Sequence, residues 1–260
     1  MSARGRRRLA LALEIAVPIA VLAIWWAWSS GSSSFYFPPL GDILDRFREN
    51  WLFARLDDDV LPSLGRMFAG LLIALVVAIC AGFVLGLSRT ARRMADPVVE
   101  FLRAIPPPAL IPFGIVVLGV GATMKVFIIA MVCVWPVLLN TIDGVTGIDP
   151  TLTETARSYG IGRLDRLRSV MLPAALPQIF AGIRTSLSLA LILMVISEMV
   201  ASTNRIGYFV LQSQRSFAIP EMWSGIILLG LLGYLLNVAL TLVERVVLRW
   251  HRGARESALA

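Results

Sequence analysis

Five stretches of roughly twenty residues with almost no charge, and a sixth interrupted by prolines, constrain this chain more than any other feature. They lie near residues 9–28, 67–88, 98–120, 124–142, 182–202 and 222–247. An α-helix rises about 1.5 Å per residue, so each run is long enough to cross the hydrocarbon core of a bilayer. In that core every backbone N–H and C=O must be satisfied without water, and a helix does this within one segment. The expected fold class is therefore an all-α polytopic membrane protein with six transmembrane helices. Composition agrees: 57% of the 260 residues are hydrophobic and only 16% charged, which is too apolar for an ordinary soluble domain.

Arginine placement sets the expected orientation. All but one of the 24 basic residues are arginine, and the net charge is +7. Arg4, Arg6, Arg7 and Arg8 precede the first run, and Arg89, Arg92 and Arg93 follow the second. Arg157, Arg163, Arg166 and Arg168 follow the fourth; Arg249, Arg252 and Arg255 follow the sixth. By the positive-inside rule these regions and both termini are cytoplasmic, with the acidic run Asp57, Asp58, Asp59 on the opposite side. Nucleic acid is not an expected partner, because it needs a continuous basic face and these charges are dispersed over short loops. Cys80 and Cys133 lie inside apolar runs, where a thiol behaves as a small hydrophobe, so neither a disulfide framework nor a metal site is expected.

The first run has two readings. A secretory signal is one, but the run exceeds the usual apolar region of about 7–15 residues. It also ends in Trp25, Trp26 and Trp28, a pattern that suits a membrane interface, so a retained helix is preferred. Loss of this helix would leave five crossings with termini on opposite sides. Ser29 to Pro62 is polar and turn-rich, with a segment of helical spacing from Asp42 to Trp51, and reads as an external connector. The expected division is 1–59 for tail, first helix and connector, 60–247 for the functional domain, and 248–260 for a basic cytoplasmic tail.

The third run contains Pro106, Pro107, Pro108 and Pro112, which a straight lipid-facing helix does not accommodate. It is either a helix broken beside a translocation path, or a short helix over 96–105 followed by a crossing that starts at Pro106. The second geometry is preferred, and both place the segment away from lipid.

Enzymatic signatures are missing. The sole lysine, Lys125, lies in no phosphate-cradling loop, and there is no HExxH or GxSxG. His251 sits in the basic tail, where a solvated role is expected. The chain is not expected to be an enzyme or to hold a cofactor. The ionisable candidates in the core crossings are Glu100, Arg103, Lys125 and Glu198. Glu100 and Arg103 suit an i,i+3 ion pair, and Lys125 can snorkel to the external surface. Glu198 lies about a turn from the external interface, either as a functional carboxylate or as an interhelical hydrogen-bonding group. Gly82 and Gly86 form a GxxxG read as helix packing, within one subunit or at a dimer seam.

Residues 143–181 form the longest cytoplasmic connector. Asp149-Pro150 opens a helix, and Thr151 to Glu154 has capping-box spacing. Leu152, Ala156 and Tyr159 share a face, and Gly160 suits a left-handed end. A second short helix, with Leu164, Leu167 and Met171 opposite Arg163, Arg166 and Arg168, is expected to stop at Pro173. The result is an amphipathic knob of helix, sharp turn and helix.

Glu154-Thr155-Ala156, Gly160 and, nine residues on, Val170-Met171-Leu172-Pro173 resemble the EAA-x3-G-x9-I-x-LP loop of type I ABC importer permeases, with Thr155 and Val170 as the departures. Segments 102–112, 135–145, 172–184 and 196–202 are similar to the branch that serves sulfonates, taurine, nitrate and related anions. This resemblance implies a peripheral first helix, a five-helix core and a cytoplasmic coupling helix. It also implies a homodimer, a pair of ATP-binding subunits holding ATP and Mg, and an extracytoplasmic substrate-binding protein. Glu154, Thr155, Ala156, Gly160, Leu172 and Pro173 are then the ATPase-coupling candidates, with Glu154 capping the coupling helix. Arg103, Pro106, Lys125 and Glu198 are the translocation-path candidates. A heterocyclic cargo, and a secondary transporter or channel using Glu198, remain as alternatives.

Overall fold

The structure, a computed structural model, describes residues 16–17, 19–32 and 34–250. The arginines before Arg46, the start of the first run, and His251, Arg252 and Arg255 lie outside the described residues. Every regular element among those described is helical. The helices are α1 (Ile19–Ser29), α2 (Leu40–Phe47), α3 (Leu61–Leu87), α4 (Arg89–Arg103), α5 (Leu110–Leu118), α6 (Ala122–Thr146), α7 (Pro150–Ser158), α8 (Arg163–Arg166), α9 (Leu172–Ala201), α10 (Ile206–Arg215) and α11 (Ile219–Val247). Four helical stretches are long and apolar enough to cross a membrane, namely Leu56–Leu87, Ala122–Thr146, Arg163–Ala201 and Ile219–Val247. A fifth is counted if the bent pair Arg89–Arg103 and Pro107–Leu118 is one broken span.

Packing separates the chain into two compact units. One gathers the described residues up to Asp57 with Phe209–Leu229. Here the expected polar connector is well structured. Trp51 is 1% exposed. Its ring meets Phe209 edge-on at 4.9 Å, and its Nε1–H donates to Ser224 Oγ at 3.2 Å. Burying an indole requires such a partner for its N–H. Trp25 and Trp223 add a ring contact at 5.9 Å.

The second unit, Asp58–Tyr208 with Gly230 onward, is built on α3, α6 and α9. Lipid tails are as apolar as leucine, so helices in a membrane gain mainly from close van der Waals fit. Small residues supply that fit here. A Cβ on Gly82 would stand 2.5 Å from Thr141 Cβ, and one on Gly86 2.8 Å from Val145 Cβ. The GxxxG of α3 is thus filled by α6 of the same chain and is no free dimer seam. Polar contacts also join the helices: Ser186 Oγ donates to the Cys133 carbonyl in the interior at 2.8 Å, and Gln178 Nε2 donates to Asn140 Oδ1 at the exposed edge at 2.9 Å.

The proline-rich third run departs from the preferred reading. Residues from 98 onward belong to α4, which begins at Arg89 with Ser88 Oγ accepting the Ala91 N–H at 3.2 Å. The chain then bends by 79° before Pro107–Leu118. That second piece covers about 18 Å by helix rise, too short to cross a core of about 30 Å alone. The helix after Pro106 is therefore too short to be a crossing by itself, and with α4 it makes a bent pair that is either one broken span or a re-entrant loop, because consecutive prolines remove the donors that would have continued α4. Ile111 and Gly114 are buried, whereas Phe113, Val116 and Val117 are exposed on this chain.

Candidate docking loop and buried charge cluster

Two places in the second unit concentrate the candidate residues. The first is the turn between α6 and α9. Pro150 occupies the first turn of α7, where its missing N–H costs nothing, and Asp149 Oδ1 accepts the Thr151 N–H at 2.8 Å. This bond favours the ionised carboxylate and holds Asp149 below the usual aspartate range. The expected capping box is therefore displaced. Asp149 is the cap, and Glu154 sits in the helix interior, exposed and too far along to reach an orphan N–H. Thr151 and Glu154 had the right spacing, but Asp149-Pro150 claims the terminus first.

The other end of α7 follows the expectation. Gly160 has φ +69°, the left-handed region that disfavours side chains bearing a Cβ. Its N–H donates to Arg157 O at 2.9 Å, and the Ile161 N–H reaches back to Ala156 O at 3.1 Å. These two bonds form a Schellman closure, which satisfies carbonyls that the helix end would leave open. Ala156 is buried, while Leu152 (47%), Tyr159 (82%) and Leu164 (59%) are exposed. A groove of about 630 Å³ runs along the knob, lined by Leu152, Thr155, Ala156, Tyr159, Pro173 and Trp250 among others. Glu154 and Leu172 lie outside that lining.

Pro173 does not stop the second helix. α8 passes through a π-helical turn, Leu167–Met171, directly into α9, giving one helical stretch from Arg163 to Ala201. The wide turn lets Pro173 enter at the start of α9, where the loss of its N–H is tolerated.

The second place surrounds Glu198, which is 1% exposed. Ser63 Oγ donates to its Oε1 at 2.5 Å, and the Gly207 N–H donates to Oε2 at 3.1 Å. The side chain thus makes the hydrogen bonds of the structural reading. Arg66 approaches to 3.9 Å. Gly207 permits this geometry because any Cβ there would collide with the Val195 carbonyl oxygen and approach Glu198 Cβ to 2.8 Å. Lys125 does not snorkel: it is 6% exposed and donates to Ser202 Oγ. Next to this group Asp59 Oδ1 accepts the Arg205 N–H at 2.9 Å. Lys125 and Glu198 are brought together, but Arg103 and Pro106 are not part of this cluster. Arg103 pairs with Glu100 at 2.5 Å, 45% exposed, as the i,i+3 spacing suggests. Pro106 is exposed at the bend after α4. Arg66, Ser63, Gly207 and Arg205 went unnoticed in the sequence. Arg66, one residue before an apolar run, was the one detectable signal.

The family model for the binding-protein-dependent transport system inner membrane component matches residues 70–252. The chain belongs to this family. It is accordingly a permease component of ABC importers, a membrane transport part and not a catalytic subunit. Within this inner membrane component family, the bicarbonate transport system permease protein of Synechococcus elongatus is 31% identical over 248 residues, covering 91% of this chain and 89% of that protein. The taurine transport system permease protein of Escherichia coli is 28% identical over 246 residues, covering 92% and 90%. An inward-facing structure of the methionine ABC transporter MetNI superposes with a TM-score of 0.65 at 21% identity, covering 74% of this chain and 95% of that one. That likeness is one of fold.

Proposed function

We propose that two copies of this chain form the membrane pathway of an ATP-driven importer for a small anion, with energy entering through the knob at 150–173. The observation that carries this reading is the hydrogen-bonded end of α7 with an exposed apolar face, on a connector rich in arginine. An apolar face in an aqueous loop is costly unless a partner covers it. The partner is a pair of ATP-binding subunits, which hold ATP and Mg. The face offers them Leu152, Thr155 and Tyr159, with Glu154 exposed on the same helix. Gly160 fixes the turn, Ala156 keeps the helix slim, and Leu172 and Pro173 lead the chain into α9.

In this reading six helices cross the bacterial cytoplasmic membrane, the broken Arg89–Leu118 segment counting as one and the first helix as another. Both termini are cytoplasmic. Residues 1–59 carry the peripheral helix and connector, 60–247 the transport domain and 248–260 the basic tail. An extracytoplasmic binding protein delivers the cargo, which is of the sulfonate, taurine or bicarbonate kind that its relatives' names indicate. Glu198 does not favour an ion-carrier reading, since its oxygens are already engaged by Ser63, Gly207 and Arg66. The test is uptake by proteoliposomes containing the permease and its cognate ATP-binding subunit, with the binding protein outside. Uptake should cease with vanadate and survive a protonophore. The opposite pattern would show a gradient-driven carrier.

A further inference from the structure

A cavity of about 380 Å³ adjoins the Glu198 cluster, between the start of α3, the α5–α6 turn, the start of α6 and the end of α9. Its polar lining comprises Arg66, Lys125, Ser202, Thr203 and Asn204, and it includes no carboxylate. Gly121 and Ala122, at the start of the 25-residue helix α6, also line it, and no side chain caps that terminus. The uncapped N–H groups of α6 therefore add partial positive charge to the same space. The formal charges do not cancel. Among the described residues the carboxylates beside Arg66, Lys125 and Arg205 are Glu198 and Asp59, and Asp59 is engaged by Arg205. Glu198 is left to balance both Arg66 and Lys125.

Two further observations set this place apart from ordinary packing. Arg205 has φ 95°, a strained conformation for a residue with a side chain, held by its N–H bond to Asp59. Its buried Nε has no hydrogen-bond partner among the described residues. Strain and an unsatisfied buried donor are costs that a purely structural cluster has no reason to keep.

We propose that this cavity receives one small singly charged oxyanion, bound by Arg66 and Lys125 and oriented by Ser202, Thr203 and Asn204. The anion supplies the negative charge that the cluster lacks. Glu198 is the resident counter-ion: it holds the two cations in place when the cavity is empty and shares them when the anion enters. Arg66 can offer two N–H groups to two oxygens of a sulfonate, nitrate or bicarbonate, a recognition that Lys125 supplements as a point charge. The idea rests on the importer reading, and it names the substrate class that the permease itself would accept at its outer end.

The experiment is charge-selective thiol labelling of the full chain in phosphatidylcholine nanodiscs, without ATP or binding protein. Cys80, the exposed native thiol, is replaced by alanine, and Asn204→Cys or Thr203→Cys serves as reporter. Rates are compared for the sulfonatoethyl and trimethylammonioethyl methanethiosulfonates, each normalised to 2-mercaptoethanol. A positively charged cleft should favour the anionic reagent by about tenfold or more. Arg66→Gln or Lys125→Gln should bring the ratio toward one, while Arg66→Lys and Lys125→Arg should keep it, which separates charge from misfolding. Methanesulfonate, nitrate or bicarbonate should slow labelling and choline should not. A ratio at or below one overturns the proposal, as does a ratio unmoved by both glutamine variants. Slowing by added phosphatidylglycerol in place of the soluble anions also overturns it, assigning the cavity to a lipid headgroup. Because no ATP is used, such a failure leaves the importer reading standing, and failed ATP-driven uptake would leave the cavity result standing.

Discussion

Gly160 offers a test in which backbone conformation and side-chain bulk are cleanly separated. Nothing lies within 4 Å of the position a Cβ would occupy there, so a substitution meets no steric obstacle. Its cost comes from φ +69° alone. For a residue with a Cβ the left-handed conformation costs roughly 1–2 kcal/mol, less for asparagine and more for β-branched side chains. A penalty of that size moves the turn about 5- to 30-fold toward other conformations. In those conformations the bonds to Arg157 O and Ala156 O are lost and the α7 face swings away from its partner. The assay is co-purification of the ATP-binding subunit with affinity-tagged permease, alongside uptake, for Gly160→Asn, Gly160→Ala and Gly160→Val. Membrane insertion should be normal in all three, and association should fall in the order Asn, Ala, Val, with Val nearly abolishing it. If Val co-purifies the ATPase as well as Asn does, the left-handed turn is not what presents the face.

Two further pairs of variants test the packing. Gly82→Val should destabilise the detergent-solubilised protein by about 1–3 kcal/mol through overpacking against Thr141, read as a lowered melting temperature. Gly230→Ala, at a position with nothing within 4 Å, should leave the melting temperature unchanged. Glu198→Gln keeps an acceptor for Gly207 and a partner for Ser63 but removes the counter-charge of Arg66 and Lys125, so it should melt below wild type. Glu198→Leu loses the same charge and also leaves the Gly207 N–H unpaired in the interior, which should cost about 1–3 kcal/mol more. Equal melting of the two variants would remove the hydrogen bonds from the account.

Hydropathy located the long helices well, because a membrane span is a local property of about twenty consecutive side chains. The same locality explains the legible turn at Gly160, whose bonds all fall within a few residues. Lys125 was misread because its partner, Ser202, is 77 residues away, and from sequence an apolar-flanked lysine looks free to snorkel. Pro173 was misread as a stop because a proline is permissible at the first turn of a helix, and nothing nearby announces the preceding π turn. The charge cluster draws on α3, α6, α9 and α10, so only the carboxylate and lysine that broke apolar runs could be noticed in advance.

The uninterrupted stretch from Arg163 to Ala201 has a mechanical consequence. Its 39 residues amount to about 58 Å of helix, leading from the knob to Glu198 and ending three residues beyond it. A connecting rod of that length turns a small angle into a large stroke. Pivoted at one end, it carries the other through about 10 Å for a tilt of roughly ten degrees. The regular ladder of this rod changes at the π turn near the knob and again at Pro177, which lacks a backbone donor, so in the proposed importer stiffness at these two places would set how much of an ATP-binding subunit's movement reaches the far end.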